Sequence, residues 1–224
     1  MRLVVAITGA TGAVLGVRLL QELRLHDEVE THLVVSRWAR STLKVETELT
    51  GRAVSALADV SYSPDDQGAA ISSGSFPVDG MIVMPCSMKT LAAIRTGYAD
   101  GLVARAADVT LKERRKLVLV PRETPLSDIH LDNLLALSRM GAVVLPPMLT
   151  FYNRPSTVDD MVDHIVARVL DQFGIASGRA RRWQGLPEAH TAAPPTPAAV
   201  GLDHSSVTVN AREGRPHEPL HRPA

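Results

Sequence analysis

The chain lacks several features that would assign it to a function class at once. It has a single cysteine, Cys86, in 224 residues. An internal disulfide framework is excluded, and a cytoplasmic setting is expected. It carries no net charge, because 24 Lys and Arg balance 24 Asp and Glu. That leaves no electrostatic footprint for nucleic acid or a membrane surface as partner. The apolar opening RLVVAIT runs straight into a glycine turn, too soon for a signal core or a membrane span. Neither Cys-x-x-Cys nor His-Glu-x-x-His occurs, so no metal is expected. A Gly-x-x-x-x-Gly-Lys-Ser/Thr loop is also missing, which argues against a nucleotide triphosphatase.

What is present suits one folded domain. Hydrophobic residues make up 45 % of the chain, enough for a substantial core. Short β-branched runs at 3–7, 31–35, 80–84, 117–120 and 142–145 read as strands. Helical patterns fill 12–25, 38–48, 88–94, 102–114 and 126–140. Unbroken apolar strands alternating with helices predict a parallel sheet covered on both faces. The expected fold class is therefore α/β, a three-layer doubly wound, Rossmann-like or flavodoxin-like sheet. A last helix is expected after NRPST, capped by Thr157 with Asp160 three residues on. Its buried stripe would be Val158, Met161, Val162, Ile165, Val166, Val169 and Phe173, with Arg168 near the edge. The folded domain is expected over 1–185. Residues 186–224, rich in Pro, Ala and His, have too few large apolar groups to offset ordering entropy and read as a disordered tail.

In such folds ligands sit beyond the carboxyl ends of the strands. The first of these ends carries ITGATGAVLG, with Gly9, Gly12 and Gly16 between strand and helix. Backbone N–H groups and the helix dipole make such a turn an anion site, although a glycine turn can also serve packing alone. A dinucleotide site fits these residues poorly. The spacing is G-x-x-G-x-x-x-G, one residue late. The second strand ends in Ser36 and Arg37 rather than an acid for the ribose. Tyr62, Tyr98 and Tyr152 are the only tyrosines, and none has Lys four residues later to lower its pKa, as short-chain dehydrogenases require.

Three other strand ends carry polar groups. PCSMKT offers Ser87, Lys89 and Thr90, either as a phosphate- or carbonyl-binding loop or as an ordinary N-cap. Cys86 there reads as a buried small residue, with no histidine placed to activate it. VPRETPLS places Arg122 and Glu123 side by side, a bidentate anion ligand beside a potential proton shuttle. FYNRP presents Tyr152, as an oxyanion donor or a packing aromatic. Arg105 and Lys112 share a helix face and read as a solvated surface or as joint cations for an anion. From the residues alone, the domain binds a phosphorylated cofactor, with room for a second small phosphate.

ITGATGAVLGVRLL, ETHLVVSRWAR, ISSGSF, PCSMKTL, GLVARAADVTLKERR, RETPLS, GAVVLPP, FYNRP and RVLDQFGI follow in order across residues 2–175, and RRWQG comes after them. Together these segments resemble the UbiX-type flavin prenyltransferases, and look close to the B subunits of non-oxidative phenolic acid decarboxylases. The resemblance implies a homo-oligomer, usually a dodecamer of trimers. It implies a metal-independent transfer of a dimethylallyl group from dimethylallyl phosphate to N5 and C6 of reduced FMN. The product, prenylated FMN, serves UbiD-type decarboxylases. On the same resemblance, Gly9, Ala10, Thr11 and Ser36 contact FMN, and Ser87, Met88, Lys89 and Thr90 form a second flavin loop. Arg122 lies between flavin and prenyl phosphate. Tyr152 and Arg168 hold the prenyl phosphate, joined by Arg105 and Lys112 from a neighbouring subunit, and Trp183 closes over the site. Glu123 is the acid/base partner of the leaving phosphate, and Glu46 helps position or stabilise the flavin–prenyl intermediate. Thr11 stands where the family commonly has serine, so its part in proton transfer is less firmly implied. The alternative is a non-catalytic FMN-binding accessory subunit of a decarboxylase complex.

Overall fold

The structure is a computed structural model that describes residues 1–186. The tail expected past Leu186 lies outside the described residues. Met1–Trp183 forms one compact unit.

Six strands make one parallel sheet: β1 (Arg2–Ile7), β2 (Glu30–Val35), β3 (Val60–Tyr62), β4 (Gly80–Cys86), β5 (Lys116–Pro121) and β6 (Val143–Val144). Their order is β3-β2-β1-β4-β5-β6. Seven α-helices connect them: α1 (Ala13–Leu23), α2 (Arg37–Glu46), α3 (Gly51–Ser55), α4 (Met88–Thr96), α5 (Leu102–Lys112), α6 (Asp128–Arg139) and α7 (Val158–Leu170). The five expected strands are all present. β3 and α3 are additions: three and five residues are too short to show a period, and β3 is nowhere fully buried.

The three-layer arrangement follows from alternation along β1. Leu3, Val5 and Ile7 join one core cluster with side chains of α1, α2 and α7. Val4 and Ala6 join the other, with side chains of α4, α5 and α6. The chain builds β1, β2 and β3 outward, then returns past β1 to build β4, β5 and β6 the other way. Right-handed crossovers in opposite directions put their helices on opposite faces. Where the order reverses, between β1 and β4, the loops diverge and leave a crevice at the carboxyl edge.

The cap of α7 is as the sequence predicts. The Thr157 hydroxyl accepts the Asp160 N–H at 3.1 Å, and Asp160 accepts the Thr157 N–H at 3.0 Å. Hydrogen bonds from Ser156, then from Thr157, hold the Asp160 carboxyl down at about 2. The apolar stripe needs one correction. Val158, in the first turn, is 74 % exposed, whereas His164, which the stripe did not include, is buried.

Candidate active site

The walls of the crevice are tied together by a residue the sequence reading passed over. Thr8, the first residue after β1, is buried. Its hydroxyl donates to the Pro85 carbonyl at 2.7 Å and accepts the Ser87 N–H at 2.8 Å. The Arg122 N–H donates to the Cys86 carbonyl at 3.2 Å. The ends of β1, β4 and β5 are thus fixed to one another by main-chain and hydroxyl contacts.

Beside these ends lies a cleft of about 440 Å³, a normal size for a cofactor site. Gly9, Ser36, Ser87, Lys89 and Thr90 line it, as expected for a flavin site. Ser36 and Ser87 are the N-caps of α2 and α4. The Ser36 hydroxyl accepts the Ala39 N–H at 3.2 Å, and that of Ser87 accepts the Thr90 N–H at 3.3 Å. The N-cap reading of Ser87 therefore holds, and so does its place in the cleft. Two helix N-termini converge on one space, each with further first-turn N–H groups and the positive end of its dipole. Lys89 is exposed and makes no ion pair among the described residues. Trp38, Val103 and Ala104 supply apolar wall. Arg37 also lines the cleft but pairs with Asp65 at 3.0 Å. The remaining donor set fits a phosphorylated flavin: Lys89 and the helix ends for the phosphate, apolar side chains for the ring. A side chain at position 9 would put its Cβ 2.5 Å from the Cβ of Trp38, so only glycine lets this turn lie against α2.

The start of α1 differs from expectation. The anion at its N-terminus is the protein's own: the Glu46 carboxylate accepts the Gly12 N–H at 2.9 and 3.1 Å and the Ala13 N–H at 2.7 Å. A carboxylate from the last residue of α2 satisfies donors the helix cannot. Ala10 and Thr11 belong to the same turn but not to the lining of the cleft, and neither does Met88, which packs on the core. Arg122 and Glu123 are exposed on the loop after β5 and make no ion pair among the described residues.

Tyr152, Arg168 and Trp183 form a second group. Tyr152 sits edge-on to Trp183, with centroids 5.5 Å apart, and edge-on to His164 at 5.9 Å. Arg168, one turn after His164 on α7, pairs with Asp171 at 2.8 Å. Burial, then the Arg168 and Arg182 charges, push the His164 pKa down, so its ring is held neutral. Arg105 and Lys112 are held elsewhere on α5. The Arg105 guanidinium donates to the Ser72 carbonyl at 3.0 Å and pairs with Asp108 at 2.9 Å, and Lys112 pairs with Glu113. Cys86 is fully buried and its thiol is pushed up to about 12, which suits a packing residue and not a nucleophile.

Sequence reasoning missed Thr8, Trp38, His164, Asp171 and Arg182. Four of them lie inside segments that carry the family resemblance: Thr8 in ITGATG, Trp38 in ETHLVVSRWAR, Asp171 in RVLDQFGI and Arg182 in RRWQG.

Residues 1–170 match the Flavoprotein family. A probable UbiX-like flavin prenyltransferase of Streptomyces sp. (strain D7) is 68 % identical over 193 residues, covering 86 % of this chain and 96 % of that relative. The chain belongs to the UbiX-type flavin prenyltransferase family. Two solved structures place the family's architecture beside this one. A dodecameric FMN-dependent UbiX-like decarboxylase from Escherichia coli O157:H7 superposes with TM-score 0.82 at 69 % identity, over 83 % of this chain and 100 % of that one. A UbiX in complex with FMN and dimethylallyl pyrophosphate also gives TM-score 0.82, at 54 % identity, over 83 % and 98 %. The UbiX-type fold is thus shared with a relative solved with both molecules. No helix among the described residues is long and apolar enough to cross a membrane.

Proposed function

We infer that this chain is a flavin prenyltransferase that joins a dimethylallyl group from dimethylallyl phosphate to reduced FMN, making prenylated FMN for a UbiD-type aromatic acid decarboxylase. One observation carries the reading. The cleft framed by the α2 and α4 N-termini lies beside the Arg122–Glu123 loop, in a chain 54 % identical to a UbiX that holds FMN and dimethylallyl pyrophosphate.

Reduced FMN supplies an electron-rich acceptor for the prenyl carbon. The chain does the rest. Gly9, Ser36, Ser87, Lys89 and Thr90 bind and orient the flavin. As the allylic C–O bond breaks, negative charge grows on the departing phosphate. Tyr152, Arg168 and Arg122 stabilise that charge as donors and cations already aimed at the departing oxygens. Glu123 moves the proton at the phosphate oxygen. Glu46 acts through the turn: its carboxylate is committed to Gly12 and Ala13, so it fixes the loop that carries Ala10 and Thr11. The cation set does without a metal, and the reacting domain is residues 1–185.

The assembly is a homo-oligomer, and a dodecamer in this reading. α6 fully buries only Leu137 and exposes Ile129, Leu131 and Leu135. Met148, Leu149 and Phe151 are exposed nearby in sequence. Apolar surface on this scale marks an interface. Arg105 and Lys112, absent from the Tyr152 group, would reach a prenyl phosphate in a neighbouring copy. The single buried cysteine supports a cytoplasmic location.

The test is anaerobic incubation of the protein with reduced FMN and dimethylallyl phosphate, then with the diphosphate, and mass spectrometry for a five-carbon adduct. Arg168→Ala and Glu123→Gln are expected to bind FMN and to lose most turnover. Flavin bound with no adduct from either donor would make the chain an accessory FMN-binding subunit instead.

A further inference from the structure

Beyond α7 the chain turns through Asp171–Phe173 and returns to Trp183 along the helix. Asp171 stands at this turn with its side chain only 19 % exposed. One oxygen accepts from Arg168 at 2.8 Å and from Arg182 at 2.9 Å, and the other accepts from Arg182 at 2.6 Å. A single carboxylate is shared by two guanidiniums fourteen residues apart in sequence. The contacts form a closed ring. Asp171 holds Arg182, the next residue Trp183 lies against Tyr152, Tyr152 lies against His164, and one turn of α7 leads from His164 to Arg168, which returns to Asp171.

The arrangement has a clear electrostatic sense. Two cations and one anion leave a net positive charge. Arg168 gives one of its five N–H groups to Asp171 and keeps the others for a ligand. Its guanidinium is oriented before any phosphate arrives, which lowers the ordering cost of binding. A second anchor pins the same returning segment elsewhere: Arg179 pairs with the buried Glu22, whose carboxylate also accepts from Ser177 at 3.4 Å.

We propose that Asp171 is a positioning residue that sets Arg168 and the Arg182–Trp183 segment together, so that the cation and the aromatic wall of the prenyl-phosphate subsite are built as one unit. This rests on the reading of Tyr152, Arg168 and Trp183 as that subsite. It adds that docking of the segment and phosphate recognition share one carboxylate.

Asp171→Asn and Arg182→Gln test it, with two readouts. The first is the rate of tryptic cleavage directly after Arg181, a site both variants keep, followed by mass spectrometry on the FMN-loaded protein, with and without inorganic phosphate. The second is the steady-state split between KM for dimethylallyl phosphate and kcat. FMN affinity should stay as in the wild type. Cleavage should speed up in both variants, and protection by phosphate should disappear. KM should rise about tenfold or more, the loss expected for one charge-assisted hydrogen bond, with kcat far less changed. If Asp171→Asn does not fold, Arg182→Gln carries the test alone. Cleavage equal to the wild type, or an unchanged KM, in a variant that binds FMN overturns the proposal. A wild type that makes no adduct would sink the functional reading, and the cleavage result would still decide the role of Asp171.

Discussion

Gly16→Ala should destabilise the protein, although helix propensity predicts the reverse. Gly16 lies inside α1, where alanine is preferred over glycine by about 1 kcal/mol. A Cβ there would fall 2.5 Å from the Met84 carbonyl oxygen and 2.9 Å from Ile7 Cγ1. That is about 0.9 Å short of ordinary contact with the carbonyl. The obstacle is the backbone of a central strand and cannot swing aside, so α1 must lift from the sheet. Overpacking of this kind costs about 1–3 kcal/mol, and a backbone obstacle puts it near the top of that range. The net loss is about 2 kcal/mol, or a fall in Tm of about 4–8 °C for a chain of this size. The assay is urea unfolding at fixed protein concentration. Gly51→Ala serves as the control, since no atom lies within 4 Å of its added Cβ. FMN affinity should fall as well for Gly16→Ala, because lifting α1 drags Gly12 away from Glu46. A midpoint equal to or above the wild type would refute the reasoning: the helix would have slack against the sheet, and the late third glycine would have no packing cause.

Three further outcomes are expected. Thr8→Val removes the hydroxyl that joins Pro85 and Ser87 and leaves the Ser87 N–H unpaired, at a cost of about 1–3 kcal/mol in urea unfolding and with weaker FMN binding by titration. Cys86 should resist thiol reagents in the native protein near pH 8 and react only on denaturation, because the buried thiol ionises near 12. His164 has a folded pKa below its unfolded value of 6.5. Its contribution is complete above that value and is lost as pH falls toward the folded pKa, since the unfolded chain takes up the proton first. The wild type should therefore lose urea stability on acidification through this window, and His164→Phe should lose less.

The sheet and its polar edge were legible because each rests on local pattern. β1, β4 and β5 carry unbroken apolar stretches and β2 ends in one, LVV, and Ser36, Ser87 and Arg122 directly follow β2, β4 and β5. The cap of α7 was legible too, since Thr157 and Asp160 are three residues apart and bond each other. The features that escaped depend on contacts between distant segments. Glu46 reaches Gly12 across thirty-four residues, and nothing in KVETE marks it as a helix cap. Arg182 stands in a run of arginines, and only the return of the chain along α7 selects it for Asp171. His164 was overlooked because histidine reads as polar in an apolar stripe, yet neutral it packs as an aromatic. Exposed Arg122 and Glu123 show the other side of this: sequence placed them, and among the described residues neither side chain makes an ion pair.

The carboxylate at the head of α1 bears on which nucleotides can enter. In a dinucleotide fold that position receives the pyrophosphate. Here any such group would have to evict Glu46 from three hydrogen bonds and then remain beside it, anion against anion. On the proposed reading, the phosphate would sit on the other side of Gly9, in the cleft between α2 and α4. Glu46, already seated at the head of α1, would then favour a mononucleotide over a dinucleotide.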